Sequence, residues 1–425
     1  MTVVRAVVRP EVRRVWALAV LAAAIAIGVV AVHKQVRDGN DFPIYWNAAR
    51  DLLAGRSPYD VNSGLHGYVY LPWFALTMVP FALLPLPVAA TCWYVLNLVF
   101  TFFAGRALLG SLHAARVPAR PLVLALAALP LAALFHDNLV LGQANLFVLW
   151  LVALGIRAAL RPGSVEHRGL PIGLAAALKM PAAVLSLPLL FGRRARQMLG
   201  VVIGLVIAIE LPHLEGGTNN GGHLMKQWHE KVMLPAAEGT LQGSNVIDQS
   251  PQAGLRRLLV AEPAFGDHRV NVAALDVESF RRVSFGASIA ILVAYLLVWL
   301  LAPARGSPPA LLADLALACC AMVQVTGYSL KAQFVVLLLP AWLAASLAWE
   351  RPARAPRVLL VIAGALFLLS QPGLVGRAAS NLLLAHSSMT LGTLLLAGTL
   401  AWQRFRLTPP PSAAPAAAPA SGTTW

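Results

Sequence analysis

Between Val15 and Val32 the chain carries no charged side chain, and further apolar blocks recur at about 88–105, 121–136, 139–156, 197–212, 283–304, 309–327, 332–349, 358–376 and 387–403. A helix rises about 1.5 Å per residue, so about 20 apolar residues cross a ~30 Å hydrocarbon layer with every backbone group satisfied internally. The stretch from Leu170 to Phe191 is broken by Lys179 and Pro181 and reads as two short helices meeting at a bend. Counting both gives about twelve membrane helices. Apolar residues make up 58% of the 425, charged residues 12%, and mean hydropathy is +0.70, beyond the range of soluble globular chains. The expectation is an all-α, polytopic integral membrane protein, with one membrane-embedded domain over residues 1–406.

Arg5, Arg9, Arg13 and Arg14 precede the first block, which is longer than the apolar segment of a signal peptide and lacks a small-residue cleavage site before His33. It reads as an uncleaved span with a cytoplasmic N-terminus. From that start, the cytoplasmic connections collect Arg106, Arg116, Arg120, Arg157, Arg161, Arg168, Arg193, Arg194, Arg196, Arg305, Arg351, Arg354, Arg357, Arg404 and Arg406 against only Glu11, Glu166 and Glu350. Glu215, Glu230, Glu238, Asp248, Glu262, Asp267, Asp276 and Glu278 fall outside, a positive-inside pattern. The net charge of +15 therefore reports orientation, and a nucleic-acid partner is not expected. Residues 407–425 are a Pro/Ala-rich stretch that cannot bury a core, expected as a disordered cytoplasmic tail. Cys92, Cys319 and Cys320 all fall in apolar blocks, so neither a disulfide framework nor a zinc motif is present. No internal repeat is evident, which weighs against a transporter built from paired halves.

Two exterior loops dominate this topology, about 33–70 and 213–280. The first gathers Asp38, Asp41, Asp51 and Asp60 with Tyr45, Trp46, Tyr59, Tyr68 and Tyr70, and a short amphipathic helix from Asn47 to Ala54 is expected to end at Gly55. Asp41, just beyond the first span, can take a proton from an acceptor hydroxyl so that the oxygen attacks an anomeric carbon. The alternative is a helix-cap or turn aspartate, the reading given to Asp38, Asp51 and Asp60. Leu71 to Leu84, flanked by Pro72, Pro80, Pro85 and Pro87, is too short and broken for a span and reads as a helix along the outer leaflet.

Lys179 is an ionisable group at membrane depth beside a helix break, where it either contacts a phosphate or snorkels to the interface. Arg256 and Arg257 close the segment QGSNVIDQSPQAGLRRLL, where one can chelate a phosphate through two parallel hydrogen bonds while the other faces headgroups. Two shorter exterior connections are polar, one with His136, Asp137, Asn138, Gln143 and Asn145, the other with Tyr328 and Lys331. Both face the compartment of Asp41, so their side chains can converge on it. Asp314 and Glu210 read as buried partners or interfacial residues.

The succession DFPIYWNAARDLLAGRSPYD, YVYLPWFALTMVPFALLPL, GQANLFVLWLVALG, GLAAALKMPAAVLSLPLLFGRR and NVIDQSPQAGLRRLL resembles glycosyltransferase family 87, the polyprenol-phosphate-mannose-dependent mannosyltransferases with a GT-C fold. The resemblance covers about Asp41 to Pro340. It implies a GT-C-like bundle with short exterior juxtamembrane helices, in the bacterial cytoplasmic membrane. The implied enzyme moves a hexose, mannose in the family, from a polyprenyl-phosphate-linked donor to a glycolipid or glycan acceptor at the outer face, with inversion.

The same resemblance implies an acidic general base, matched by Asp41, and basic donor-phosphate contacts, matched by Lys179 and Arg257; Arg256 and Lys331 are expected beside them on this chain's own residues. Tyr45, His136, Gln143, Asn145 and Tyr328 are expected to contact substrate. It implies no metal or cofactor, and the sequence carries neither a Gly-rich phosphate loop nor a DxD motif. Where family members often carry a Ser-Trp-His-His-like run, this chain has Tyr328, Ser329, Leu330 and Lys331, so Lys331 stands where a histidine would act. Two other functions fit an apolar chain of this kind, a flippase or transporter of lipid-linked sugar and a non-catalytic subunit that binds such a lipid.

Overall fold

The computed structural model describes residues 10–37, 40–60, 67–161, 166–191, 195–237, 245–304, 306–351 and 353–407. Of the expected C-terminal tail, 407–425, all but Leu407 lies outside the described residues, as do Arg5, Arg9, Asp38, Arg193, Arg194, Glu238 and Arg305. In chain order the main helices are α1 (Pro10–Arg37), α2 (Asp41–Leu53), α3 (Leu86–Ala114), α4 (Pro121–Leu141, tightened to a 3-10 turn at Leu129–Leu131), α5 (Asn145–Ala159), α6 (Leu170–Leu178), α7 (Leu187–Phe191) and α8 (Ala195–Trp228). They continue as α9 (Pro251–Leu259), α10 (Val277–Leu301), α11 (Pro308–Gln324), α12 (Leu338–Glu350), α13 (Arg354–Leu369), α14 (Arg377–Ala385) and α15 (Ser388–Phe405). Proline opens several of them, at Pro121, Pro171, Pro251 and Pro308, where its missing N–H has no intrahelical acceptor anyway.

The protein is an all-α polytopic membrane protein, but with fewer full spans than the apolar blocks suggested. Among the described residues six helical stretches are long and apolar enough to cross a membrane: Leu18–Arg37, Leu86–Ala114, Pro121–Leu141, Arg196–His213, Val277–Leu301 and Lys331–Glu350. The pair α14 and α15, bent by 58°, makes a seventh when taken as one span. Length explains the difference from twelve: α5 has 15 residues and α11 has 17, and about 1.5 Å per residue leaves both short of a ~30 Å layer. Every residue of α11 from Ala310 to Gln324 is buried, so it is a core helix of the bundle. The expected bend is present: α6 ends at Leu178, Lys179 is extended with φ −139°, and a 3-10 turn at Met180–Ser186 leads into α7.

The chain divides into two compact units, the first formed by Met1–Phe103, Ala132–Trp150 and Ala208–Leu241, the second by the remainder. In the first, α1, α3 and α4 meet around Ala31, Tyr94 and Val140. The short helices Pro72–Thr77 and Val79–Ala82 stand where a leaflet-lying segment was expected, and Trp46 of α2 holds them by donating to the carbonyls of Phe81 (3.1 Å) and Leu84 (3.2 Å). The expected loop after His213 begins as helix, because α8 runs on past Pro212 to Trp228. That extension lies on the Asp41 segment: Lys231 pairs with Asp60 at 2.7 Å and Trp228 donates to the Val69 carbonyl at 3.2 Å.

In the second unit the arginines assigned to one membrane side gather at one end of the helices. Arg120 pairs with Glu350 at 2.9 Å, Arg357 donates to the carbonyls of Ala348 and Trp349, and Arg351 donates to the carbonyl of Arg406. Arg404 and Asp314 form a buried bidentate pair at 2.8 and 3.2 Å, which gives Asp314 the partner expected of it and takes Arg404 off the surface. The opposite end of α12, α13 and α15 carries Lys331, Ser370 and Ser388.

Candidate active site

Asp41 is the first residue of α2, six residues earlier than the expected helix start at Asn47. Pro43 in the first turn presets the helical φ, and the unpaired N–H groups of that turn favour a carboxylate there. Asp41 is half-buried, while Phe42 beside it is wholly buried and stacks on Trp93 of α3 with centroids 5.9 Å apart. Trp93 in turn donates its indole N–H to the Gly142 carbonyl at 2.8 Å. Gly142 turns the chain between α4 and α5 with φ +68°, a left-handed conformation in which glycine is at ease.

The next residue in that turn supplies the contact to Asp41. Gln143 Nε2 donates to Asp41 Oδ2 at 3.0 Å. The Gln143 oxygen accepts from Asn145 Nδ2, which also donates to Asn138 Oδ1 at 2.9 Å, and Asn138 donates to the Leu134 carbonyl at 2.7 Å. All three amides are buried. A buried polar network of this kind is costly unless satisfied, and this one runs from a helix backbone to a single carboxylate.

Tyr45, one turn along α2 from Asp41, is buried, with its hydroxyl 3.2 Å from that of Tyr70, whose carbonyl accepts from Tyr59 at 2.7 Å. Burial raises the Tyr45 phenol well above its ordinary value, and the neighbouring Tyr70 and the charge of Asp41 push the same way. Tyr70 is raised by burial first and by Asp41 second. Both phenols therefore stay protonated beside the carboxylate.

The structure thus brings Asp41, Tyr45, Gln143 and Asn145 together. It does not bring His136 with them: that residue is exposed on α4, its Nδ1 lying 3.6 Å from Asp137, and two residues from Asn138 it points to another side of the helix. Tyr70 and Asn138 belong to the cluster, although the sequence assigned neither a role in the site. The only sequence sign for either was a tyrosine or amide in a polar connection.

The remaining expected residues lie in the second unit. Segment 247–249 pairs backbone with 329–331: Gln249 N–H donates to Ser329 O at 2.8 Å and Lys331 N–H to Ile247 O at 3.1 Å. Asp248 locks this pairing, its Oδ1 accepting from the backbone N–H of Ser250 and of Ser329, each at 2.9 Å. Burial raises the Asp248 carboxyl above its ordinary value against the lowering pull of those hydrogen bonds and of Arg257.

Arg257 is engaged within the protein. Its guanidinium is fully buried and donates to the carbonyls of Ala385 (3.1 Å), Asn245 (3.1 Å) and Asp248 (2.8 Å) and to Ser387 Oγ (2.9 Å). Burial lowers it to about 10 despite the charge of Asp248. Arg256 is likewise engaged, in a bidentate pair with Glu262 at 2.9 and 2.7 Å. Through these bonds both arginines staple this segment. Lys179, at the α6 break, and Lys331 and Tyr328, beside Asp248, are each half-buried.

Among the described residues no three His, Cys, Asp or Glu side chains gather around a common point. The sequence model of glycosyltransferase family 87 matches residues 68–327, well over half of the chain. The chain belongs to glycosyltransferase family 87. The matched segment of this family 87 protein holds Tyr70, Asn138, Gln143, Asn145, Lys179, Asp248, Arg256 and Arg257; Asp41 and Tyr45 precede it, and Tyr328 and Lys331 follow directly.

Over 219 residues the family 87 chain is 31% identical to the polyprenol-phosphate-mannose-dependent alpha-(1-2)-phosphatidylinositol mannoside mannosyltransferase of Mycobacterium tuberculosis (strain ATCC 25618 / H37Rv). That alignment takes in 46% of this chain and 50% of the relative, so the chain spans about half the length of the curated relative it matches. No solved structure matches.

Proposed function

We propose that the protein is an inverting membrane glycosyltransferase, with Asp41 as its general base. It moves a hexose, mannose by likeness to the Mycobacterium tuberculosis relative, from a polyprenyl-phosphate donor to a glycolipid or glycan acceptor. The site faces the exterior of a bacterial cytoplasmic membrane. In the reaction the acceptor oxygen bonds to the anomeric carbon as the bond from that carbon to the phosphate oxygen breaks. The hydroxyl proton passes to the Asp41 carboxylate, and the electron pair leaves with the polyprenyl phosphate. One such displacement inverts the anomeric centre.

The observation that carries this reading is the orientation of Asp41 by Gln143, itself held by Asn145 and Asn138. A base must be within hydrogen-bond reach of the proton it takes, and a carboxylate held by a buried amide keeps one oxygen in a defined direction. Tyr45, Gln143 and Asn145 border the sugar. The decisive experiment is Asp41→Asn assayed with polyprenyl-phosphate-mannose and extracted membrane glycolipids. Transfer is expected to fall by roughly 10²–10⁴-fold while the melting temperature in detergent holds. Unimpaired turnover by that variant overturns the proposal.

A further inference from the structure

Within the first unit a groove of about 680 Å³ runs between α1 and the start of α3. Its inner wall forms where Tyr94 crosses to α1: the phenol donates to the Ala24 carbonyl at 2.6 Å, and a Cβ on Gly28 would meet the Tyr94 ring at 2.8 Å. Gly28 is therefore what lets the two helices approach there. Towards the end of α1 the walls are valines, with Val29 66% and Val95 51% exposed, far too open for a packed core. At the mouth stand His33 and Arg37, both exposed, with Lys34 in the same last turn. An apolar trough ending in basic side chains fits an amphiphile with an anionic head.

The position of the mouth decides which amphiphile. A donor phosphate is bonded directly to the carbon under attack, so it must lie beside the oxygen that Asp41 activates. Gln35 marks the side of α1 that faces Asp41. It donates to the Leu139 carbonyl at 3.2 Å and touches Gly142, where a Cβ would come within 2.8 Å of it, and Gly142 directly precedes Gln143.

His33 and Arg37 are each two residues from Gln35, which on a helix of about 3.6 residues per turn points them roughly 160° away from it. The chain still limits the Cα separation of Arg37 and Asp41 to about 14 Å. That arrangement misplaces a donor phosphate. It suits a lipid whose phosphate is separated from its reacting hydroxyl by a glycan headgroup.

We propose that this groove binds the acyl chain and phosphate of an anionic glycophospholipid acceptor, whose headgroup reaches Asp41. The acceptor role rests on the function proposed above. Two measurements test it. In phosphatidylcholine nanodiscs doped with phosphatidylinositol, the wild-type protein is expected to retain phosphatidylinositol about tenfold over its bulk share. The double variant His33→Gln, Arg37→Gln loses that preference, and Thr91→Trp, which projects an indole into the groove from α3, loses retention altogether. Val99→Trp, an exposed position on α3 outside the groove, behaves as wild type.

In transfer assays with polyprenyl-phosphate-mannose and a mannosylated phosphatidylinositol, the groove variants raise the acceptor KM about tenfold and leave the donor KM unchanged. The proposal fails if wild type shows no preference for phosphatidylinositol, or if the groove variants keep that preference. A rise in donor KM alone also overturns it and assigns the groove to the polyprenyl chain. If wild type transfers no hexose at all while the lipid preference follows the groove, the lipid site stands and its acceptor role falls with the function.

Discussion

Gln143 donates its amide to the carboxylate of Asp41 at 3.0 Å across a separation of 102 residues. The bond joins the turn between α4 and α5 to the first turn of α2, and Asn145 fixes the amide from behind. A carboxylate free to rotate would present its basic oxygen to the acceptor only part of the time.

Gln143→Leu keeps the volume but removes the donor. It is expected to lower kcat by about 10–100-fold with a smaller change in KM, since the loss is one of orientation. Steady-state kinetics with a polyprenyl-phosphate donor separates the two parameters. An unchanged kcat would mean that Asp41 is held by other contacts.

Gly142→Ala strains the same turn. At φ +68° a Cβ would lie 2.7 Å from Phe42 Cβ and 2.8 Å from Gln35 Cδ. Backbone strain and overpacking together are expected to cost roughly 2–4 kcal/mol. A thermal melt in detergent should show a drop of several degrees, with activity falling because Phe42 adjoins Asp41. Gly105→Ala on α3 meets nothing within 4 Å and serves as the neutral comparison.

Arg257→Ala is expected to destabilise by about 2–4 kcal/mol, because it leaves two buried carbonyls, a third at the surface and a hydroxyl without their donor. Arg257→Lys should recover little of this, since one ammonium cannot span acceptors arranged around a planar guanidinium. Denaturant unfolding of both variants is the check. Full stability with lysine would mean that charge alone is needed.

Asp248→Asn tests the raised carboxyl through pH. A carboxyl raised on folding binds its proton more tightly in the native state, so wild-type stability grows as pH falls through the raised value and levels off below the ordinary 3.8. The asparagine lacks this response. Relative to Asn, the wild type should therefore gain stability on acidification inside that window and show a flat difference above it. Asp248 Oδ2 finds no hydrogen-bond partner among the described residues, consistent with an oxygen that gains from protonation.

Single residues show how far the sequence could be read. The break at Lys179 was legible because a lysine followed by Met-Pro cannot continue an apolar helix, and the helix ends there. For Asp314 the sequence left a buried partner or an interfacial place open, and the ion pair with Arg404 decides for the first, since an isolated charge in an apolar block is too costly to leave alone. The bonding of Arg257 was not legible, since an arginine pair before an apolar span looks the same whether its donors face a ligand or backbone carbonyls. Which apolar helices are long enough to cross was not legible for a related reason. Hydropathy marks α11 as apolar but not that every residue from Ala310 to Gln324 is covered by protein.

By itself the sequence determined the all-helical, membrane-embedded class, the gathering of arginines at one end of the helices and the membership of family 87. Each follows from local composition, period and motif, which need no partner to be read. Tertiary structure alone decided that Asp41 opens a helix, that Gln143 and not His136 reaches it, and that Gly142 must be glycine. It also decided that Asp248 and Arg257 clamp two loops. Those facts depend on which side of a helix faces which neighbour across a hundred residues of chain, and that is fixed by packing, where a one-residue shift turns a side chain by about 100°.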